Sequence, residues 1–163
     1  LITMKKYLFL SLIFLMLGAT ELLAQRYSTA VGVRAGYGMG FSYKSYVKPK
    51  VAFEGILAVR WRGVGATALV QKHHKLLGVP GVQWYYGGGM HAGYWNDVET
   101  RQALFSGESS VILGLDGVVG IEYTFDEIPI NVSLDWIPMV NIIGGRVAGN
   151  VAGGGGLAIR YAF

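Results

Sequence analysis

The residue types that could do covalent chemistry here are three histidines, His73, His74 and His91, with Ser109, Ser110 and Glu108. Together they offer the parts of a Ser-His-carboxylate hydrolase or acyltransferase. That chemistry needs the base within hydrogen-bond reach of the serine and a third group to orient the base. No spacing in the chain imposes such an arrangement. Ser109 and Ser110 stand at the edge of a polar segment, where serine is ordinary, and His73-His74 between Lys72 and Lys75 reads as a solvated strand end. The histidines form no i,i+2 strand pair with a carboxylate partner, so a metal centre is not expected. Gly153 to Gly156 lack the Lys-Ser/Thr of a phosphate loop. With no cysteine there is no thiolate site, disulfide or lipid-anchored N-terminal Cys. The expectation is no catalytic residue, no cofactor and no metal.

What remains is a set of polar residues interleaved with apolar ones: Arg34, Glu54, Arg60, Gln83, His91, Asp116, Glu122, Asn131, Ser133, Asp135 and Arg160. Alternation with period two is the signature of strands with one polar and one apolar face. From Val111 to Phe125, the odd positions Val111, Leu113, Leu115, Val119, Ile121, Tyr123 and Phe125 oppose Gly114, Asp116, Gly120, Glu122 and Thr124. Phe53, Leu57, Val59 and Trp61 oppose Glu54, Ala58 and Arg60; Ile130, Val132, Leu134 and Trp136 oppose Asn131, Ser133 and Asp135. Val82, Trp84, Tyr86, Met90 and Tyr94 oppose Gln83, Gly87, Gly89 and His91.

Counting between turn signals gives eight strands, at about 27–36, 40–47, 51–61, 66–75, 82–95, 111–125, 130–143 and 154–163. The stretch 66–75 is ambiguous in parity, which suggests a bulge or a strand end rising above a bilayer. Pro138 suggests a local break or bulge near the external end of the seventh strand. Breaks at Lys48-Pro49-Lys50, Gly78 to Gly81 and Asp126 to Pro129 are short and contain proline. They alternate with Gly-rich or longer breaks at 36–40, 62–65, 96–110 and 144–153. Short turns on one side and longer loops on the other are the habit of transmembrane β-barrels, with the short turns periplasmic.

Composition agrees. The 163 residues suit one domain, with 52% hydrophobic and only 15% charged residues, 25 Gly, 10 Tyr and 4 Trp; mean hydropathy is +0.40. Past the N-terminus no window holds the ~20 consecutive apolar residues of a spanning helix. A chain this apolar then needs either a buried soluble core or a closed barrel whose lipid face occupies alternate positions. The net charge of +4 is scattered along the chain, so no nucleic-acid surface is read from it. Met4-Lys5-Lys6 followed by the apolar run Tyr7 to Ala19 reads as a signal peptide over residues 1–24, with the true start at Met4 and the barrel at 25–163. Trp61, Trp84, Trp95, Trp136, Tyr94, Tyr123, Tyr161 and Phe163 fall near strand ends, as girdle aromatics do.

The last stretch, Gly156 to Phe163, alternates strictly: Leu157, Ile159, Tyr161 and Phe163 against Gly156, Ala158, Arg160 and Ala162. It resembles the β-signal of outer-membrane barrel proteins, with Gly156, Tyr161 and Phe163 at its marker positions. Across residues 26–163 the chain resembles the small porin-like eight-stranded outer-membrane barrels, the OmpA-transmembrane and OmpX type. Leu115 to Phe125 and Leu134-Asp135-Trp136 carry that likeness. The resemblance implies an all-β antiparallel transmembrane barrel in the cell outer membrane of a Gram-negative cell, exported by a signal peptide and without a C-terminal peptidoglycan-binding domain. It implies outer-membrane lipid including lipopolysaccharide and the barrel-assembly machinery as partners, with a monomer as the default.

An eight-stranded barrel has an interior just wide enough for its side chains. The polar parity would therefore fill the lumen with four carboxylates against three guanidinium groups, with Lys44 a possible further base. The leading expectation is a structural or surface-interacting barrel with a polar plug. A narrow solute channel is the alternative, and a lipid-A-modifying barrel enzyme the second. The longest break, 96–110, carries Asp97, Glu99, Arg101 and Glu108 and is the natural site for external binding.

Overall fold

The computed structural model describes residues 28–60, 63–76, 78–95, 111–143 and 151–163; the side chains of Arg60, Trp95, Val151 and Ala152 fall outside that description. The residues 1–24, Trp61 and the 96–110 segment, with Glu108, Ser109 and Ser110, lie outside the described residues.

Eight strands run in chain order: β1 (Thr29–Gly36), β2 (Met39–Lys48), β3 (Val51–Arg60), β4 (Gly63–Lys75), β5 (Val82–Trp95), β6 (Val111–Thr124), β7 (Ile130–Ile143) and β8 (Val151–Ala162). Each pairs antiparallel with its neighbour, and β8 returns to β1 to close the barrel, from Ala30 opposite Ala162 to Gly36 opposite Gly156. Closure leaves no unpaired edge, which is what lets a sheet cross hydrocarbon. The strands run from 8 to 14 residues, and ~9–11 tilted residues suffice to span a bilayer.

The expected strand limits differ from the observed ones by three residues at most, the largest differences being the earlier starts of β4 and β8. The three Pro-containing turns share one end of the barrel. There Lys50 takes the left-handed conformation (φ 69°), as do Gly78 and Gly81 in the β4–β5 turn. The ends of β1 and β8 meet at this same end, where the amides of Ser28 and Thr29 donate to the Phe163 carbonyl.

One expectation needs correction and another is met. The stretch holding β4 carries no bulge: its register is continuous against β3 from Gly63 to Lys72 and against β5 from Gly63 to Lys75. Pro138 does mark a local break: between Asp116 opposite Met139 and Val119 opposite Trp136, Gly117 and Val118 are not paired with Pro138 and Ile137. A register shift lies further on, where Leu113 faces Ile143 but Gly114 faces Asn141, so Ile142 is the extra residue. Pro138 is accommodated because Gly117 stands next to its ring: a Cβ at Gly117 would lie 3.2 Å from the proline Cγ.

The barrel is inside-out relative to a soluble protein. Buried polar or charged residues among those described number thirteen, against nine buried apolar ones. The outward parity carries Phe41, Leu57, Val70, Met90, Leu115, Ile121 and Leu134, each more than half exposed. Exposed apolar surface on this scale, continuous around the molecule, is a membrane-facing wall.

Candidate functional site

The lumen is the site, and each long polar side chain in it is delivered by strand parity. Arg34 comes from β1, Ser42, Lys44 and Tyr46 from β2, Glu54 from β3, Gln71 and His73 from β4. Gln83, Tyr85 and His91 come from β5, Asp116 and Glu122 from β6, Asn131, Ser133 and Asp135 from β7, and Arg160 from β8.

Arg160, fully buried, is the hub of the tier nearest the short turns. Its Nε donates to Ser42 Oγ (2.7 Å), and Nη1 donates to Ser133 Oγ (2.8 Å) and Asn131 Oδ1 (3.1 Å). Its Nη2 forms an ion pair with Glu54 Oε1. Glu54 also accepts from Ser42 Oγ (2.7 Å) and from Gln71 Nε2 (2.6 Å). Beside it, Lys44 Nζ donates to Glu122 Oε2 at 2.7 Å and sits 4.1 Å from the centroid of the Tyr85 ring. Glu122 Oε1 accepts from the Tyr46 hydroxyl (3.0 Å). The Tyr85 hydroxyl donates to Asp135 Oδ2 (2.7 Å), and the Arg34 guanidinium grips both oxygens of the same carboxylate. His91, nearer the opposite end, places Nδ1 2.7 Å from Asp116 Oδ1 and Nε2 2.9 Å from Asn141 Oδ1.

The arrangement is one base per carboxylate: Arg160 on Glu54, Lys44 on Glu122, Arg34 on Asp135 and His91 on Asp116. A charge taken out of water is tolerated when paired and hydrogen-bonded, and the three cation–carboxylate pairs meet both conditions. Between the pairs lies an apolar tier. Ile56 follows Glu54 on β3, Leu69 precedes Gln71 on β4, Val118 precedes Glu122 on β6 and Ile137 follows Asp135 on β7. These four pack with Tyr85 as a buried cluster, so the lumen is polar, then apolar, then polar again along its axis.

Inward glycines make room for the longest of these side chains. A Cβ at Gly120 would stand 2.7 Å from Tyr85 Cζ, closer than van der Waals contact allows. Gly156 lies similarly against the Arg34 guanidinium and Gly114 against the His91 ring. In a barrel of fixed circumference, a large side chain on one strand needs a missing one on another.

Gln83 is buried on the inward parity, and the Arg60 side chain lies outside the described residues. His73 is not a solvated strand end: it is fully buried in the lumen, stacked at 4.9 Å on Tyr85 and 3.6 Å from Glu122 Oε1. His74 turns outward and stacks on Trp84 (4.7 Å) and Tyr86 (5.7 Å). Tyr85, Gln71, Tyr46 and Ser42 are lumen residues that the sequence reading did not single out. Their shared inward parity with Gln83, His73 and Lys44 was the available signal.

At the end with the short turns, Trp84 and Tyr86 of β5, Tyr123 and Phe125 at the end of β6, and Tyr161 and Phe163 at the end of β8 lie on the outer wall, with Tyr123 and Phe125 meeting edge to face at 4.6 Å and Tyr161 6.3 Å from Phe163.

A closed eight-stranded antiparallel barrel with an apolar wall, aromatics at one end of it and a charge-paired interior has the fold of the small outer-membrane barrels. Solved structures share it, two of them as follows. The N-terminal β-barrel domain of OprF from Pseudomonas aeruginosa superposes with a TM-score of 0.62 at 14% identity, covering 85% of this chain and all of that one. Neisserial surface protein A superposes at 0.53 with 11% identity, covering 83% of this chain and 94% of its own. No family model and no curated protein matches the sequence. At these identities the likeness is one of fold.

Proposed function

We propose that this chain is an integral outer-membrane barrel with a closed lumen, whose role is structural or lies in contacts made by its exposed ends. The single observation that carries this reading is the lumen itself: each of its four carboxylates, Glu54, Asp116, Glu122 and Asp135, faces a base, and the buried tier of Ile56, Leu69, Tyr85, Val118 and Ile137 crosses the passage. An ion entering would have to displace a satisfied pair and then cross an apolar constriction that water has little reason to wet. The outer-membrane address is supported by the lipid-facing wall and by the two structural neighbours.

On this reading the surrounding partners are outer-membrane lipids, lipopolysaccharide among them. The β8 segment with Gly156, Tyr161 and Phe163 would be read by the barrel-assembly machinery, after export on the N-terminal segment. The barrel works as a monomer, since its wall is complete without a second copy. A lipid-modifying activity gains no support from the histidines: His73 and His91 face the lumen, and His74 is stacked on Trp84 and Tyr86.

Planar-bilayer recording with the refolded, detergent-purified chain tests the closed lumen. The expected trace is flat at moderate voltage. Reproducible current steps that scale with protein concentration would replace this reading with a narrow channel.

A further inference from the structure

The charges outside the lumen are not evenly placed. Of the described cationic side chains, Arg34, Lys44 and Arg160 are buried inside; the exposed ones are Lys48, Lys50, Lys72 and Lys75. These four converge on one corner of the short-turn end. Lys48 and Lys50 flank Pro49 in the β2–β3 turn, and the Lys50 carbonyl accepts from the His73 amide at 2.8 Å. Lys72 faces Val51 on one side and Tyr86 on the other, and Lys75 faces Gln83. The exposed acids among the described residues, Asp126 and Glu127, lie in the β6–β7 turn, on the other side of the barrel.

Lys72 is the informative residue. It is exposed and shares the outward, lipid-facing parity of β4 with Val70. An ammonium on that wall reaches water only by running its stem along the surface to the headgroup level. It does so beside the stacked rings of His74, Trp84 and Tyr86, and interfacial aromatics of this kind mark the headgroup boundary. The lysines of the adjoining turn and strand end therefore stand at phosphate depth. We infer that the Lys48, Lys50, Lys72 and Lys75 corner is a binding surface for the phosphates of anionic phospholipids in the leaflet facing the periplasm. The leaflet assignment rests on the membrane orientation proposed above; the lipid chemistry rests on the corner itself.

Each lysine at a charged lipid surface changes partition about fivefold, so loss of several is readily measured. The refolded chain is placed in nanodiscs of phosphatidylcholine with a minority of phosphatidylglycerol, and the lipid retained on it is counted by native mass spectrometry. The wild type is expected to retain phosphatidylglycerol well above its share of the disc. The variant K48Q/K50Q/K72Q/K75Q loses that enrichment, K48R/K50R/K72R/K75R keeps it, and D126N/E127N leaves it unchanged. A gel-mobility check on unheated samples establishes that every variant is folded. Enrichment that survives in the Gln variant, or that is lost equally in the Arg variant, overturns the proposal.

Orientation is read separately, by labelling Lys48→Cys with a membrane-impermeant maleimide on whole cells. Protection until the outer membrane is opened supports the periplasmic leaflet. Labelling of intact cells overturns that assignment while the nanodisc result still decides the lipid chemistry.

Discussion

Arg160→Met destabilises the folded barrel by about 3–5 kcal/mol, the cost of removing one partner from a buried ion pair. The guanidinium serves Glu54, Ser42, Asn131 and Ser133 together. Its loss leaves the Glu54 carboxylate in the lumen with neutral donors from Ser42 and Gln71 as its remaining hydrogen bonds. A buried acceptor that keeps its charge and loses its counter-charge is the expensive outcome, whereas removing both charges is not. The double variant R160M/E54M is therefore expected to recover most of the lost stability. Urea unfolding in lipid vesicles, followed by tryptophan fluorescence, reads both. A single variant within about 0.5 kcal/mol of wild type would mean that the pair is hydrated and the lumen open to water.

Leu134→Arg has the second largest effect, about 2–4 kcal/mol in a bilayer, the cost of a cation on the lipid face of a barrel near the midplane. Leu134 is 55% exposed and points away from the lumen, midway between the inward residues Ser133 and Asp135. Ile128 is 49% exposed in the β6–β7 turn, and Ile128→Arg at that level changes stability little. In a water-soluble barrel both residues would count as ordinary surface, where substitutions stay within about 0.5 kcal/mol. The difference between the two variants, measured in phosphatidylcholine vesicles, is thus a property of the solvent around the wall. Equal and small effects would contradict a membrane setting.

The strands were legible because a wall with lipid on one side and a packed polar lumen on the other imposes a strict two-residue period. The parity of Glu54, Asp116, Glu122, Asp135 and Arg160 follows from that period alone. The pairing across the lumen does not. Lys44 and Glu122 are 78 residues apart and Arg34 and Asp135 are 101 apart, and barrel shear, which no local pattern encodes, decides which inward residues share a level.

The β4 strand was ambiguous for a related reason. Its inward positions cross two tiers, from Leu69 in the apolar one to Gln71 and His73 in the polar one. Its outward positions run from lipid at Ala66 and Val70 to headgroup depth at Lys72 and His74. Neither face is uniform, so neither parity looks apolar. Tyr85 was hidden because an aromatic between Trp84 and Tyr86 reads as wall. Its inward place depends on the empty space at Gly120, a residue 35 positions away in sequence on the neighbouring strand.

The central claim is a closed barrel that needs a hydrophobic phase. Electrophoresis of the detergent-refolded chain, with and without boiling, tests it most directly. A closed barrel resists the gel detergent at room temperature, so the unheated sample is predicted to migrate apart from the boiled one as a compact band. Identical migration of the two samples, or a chain that stays dispersed and folded in buffer without detergent, would contradict it.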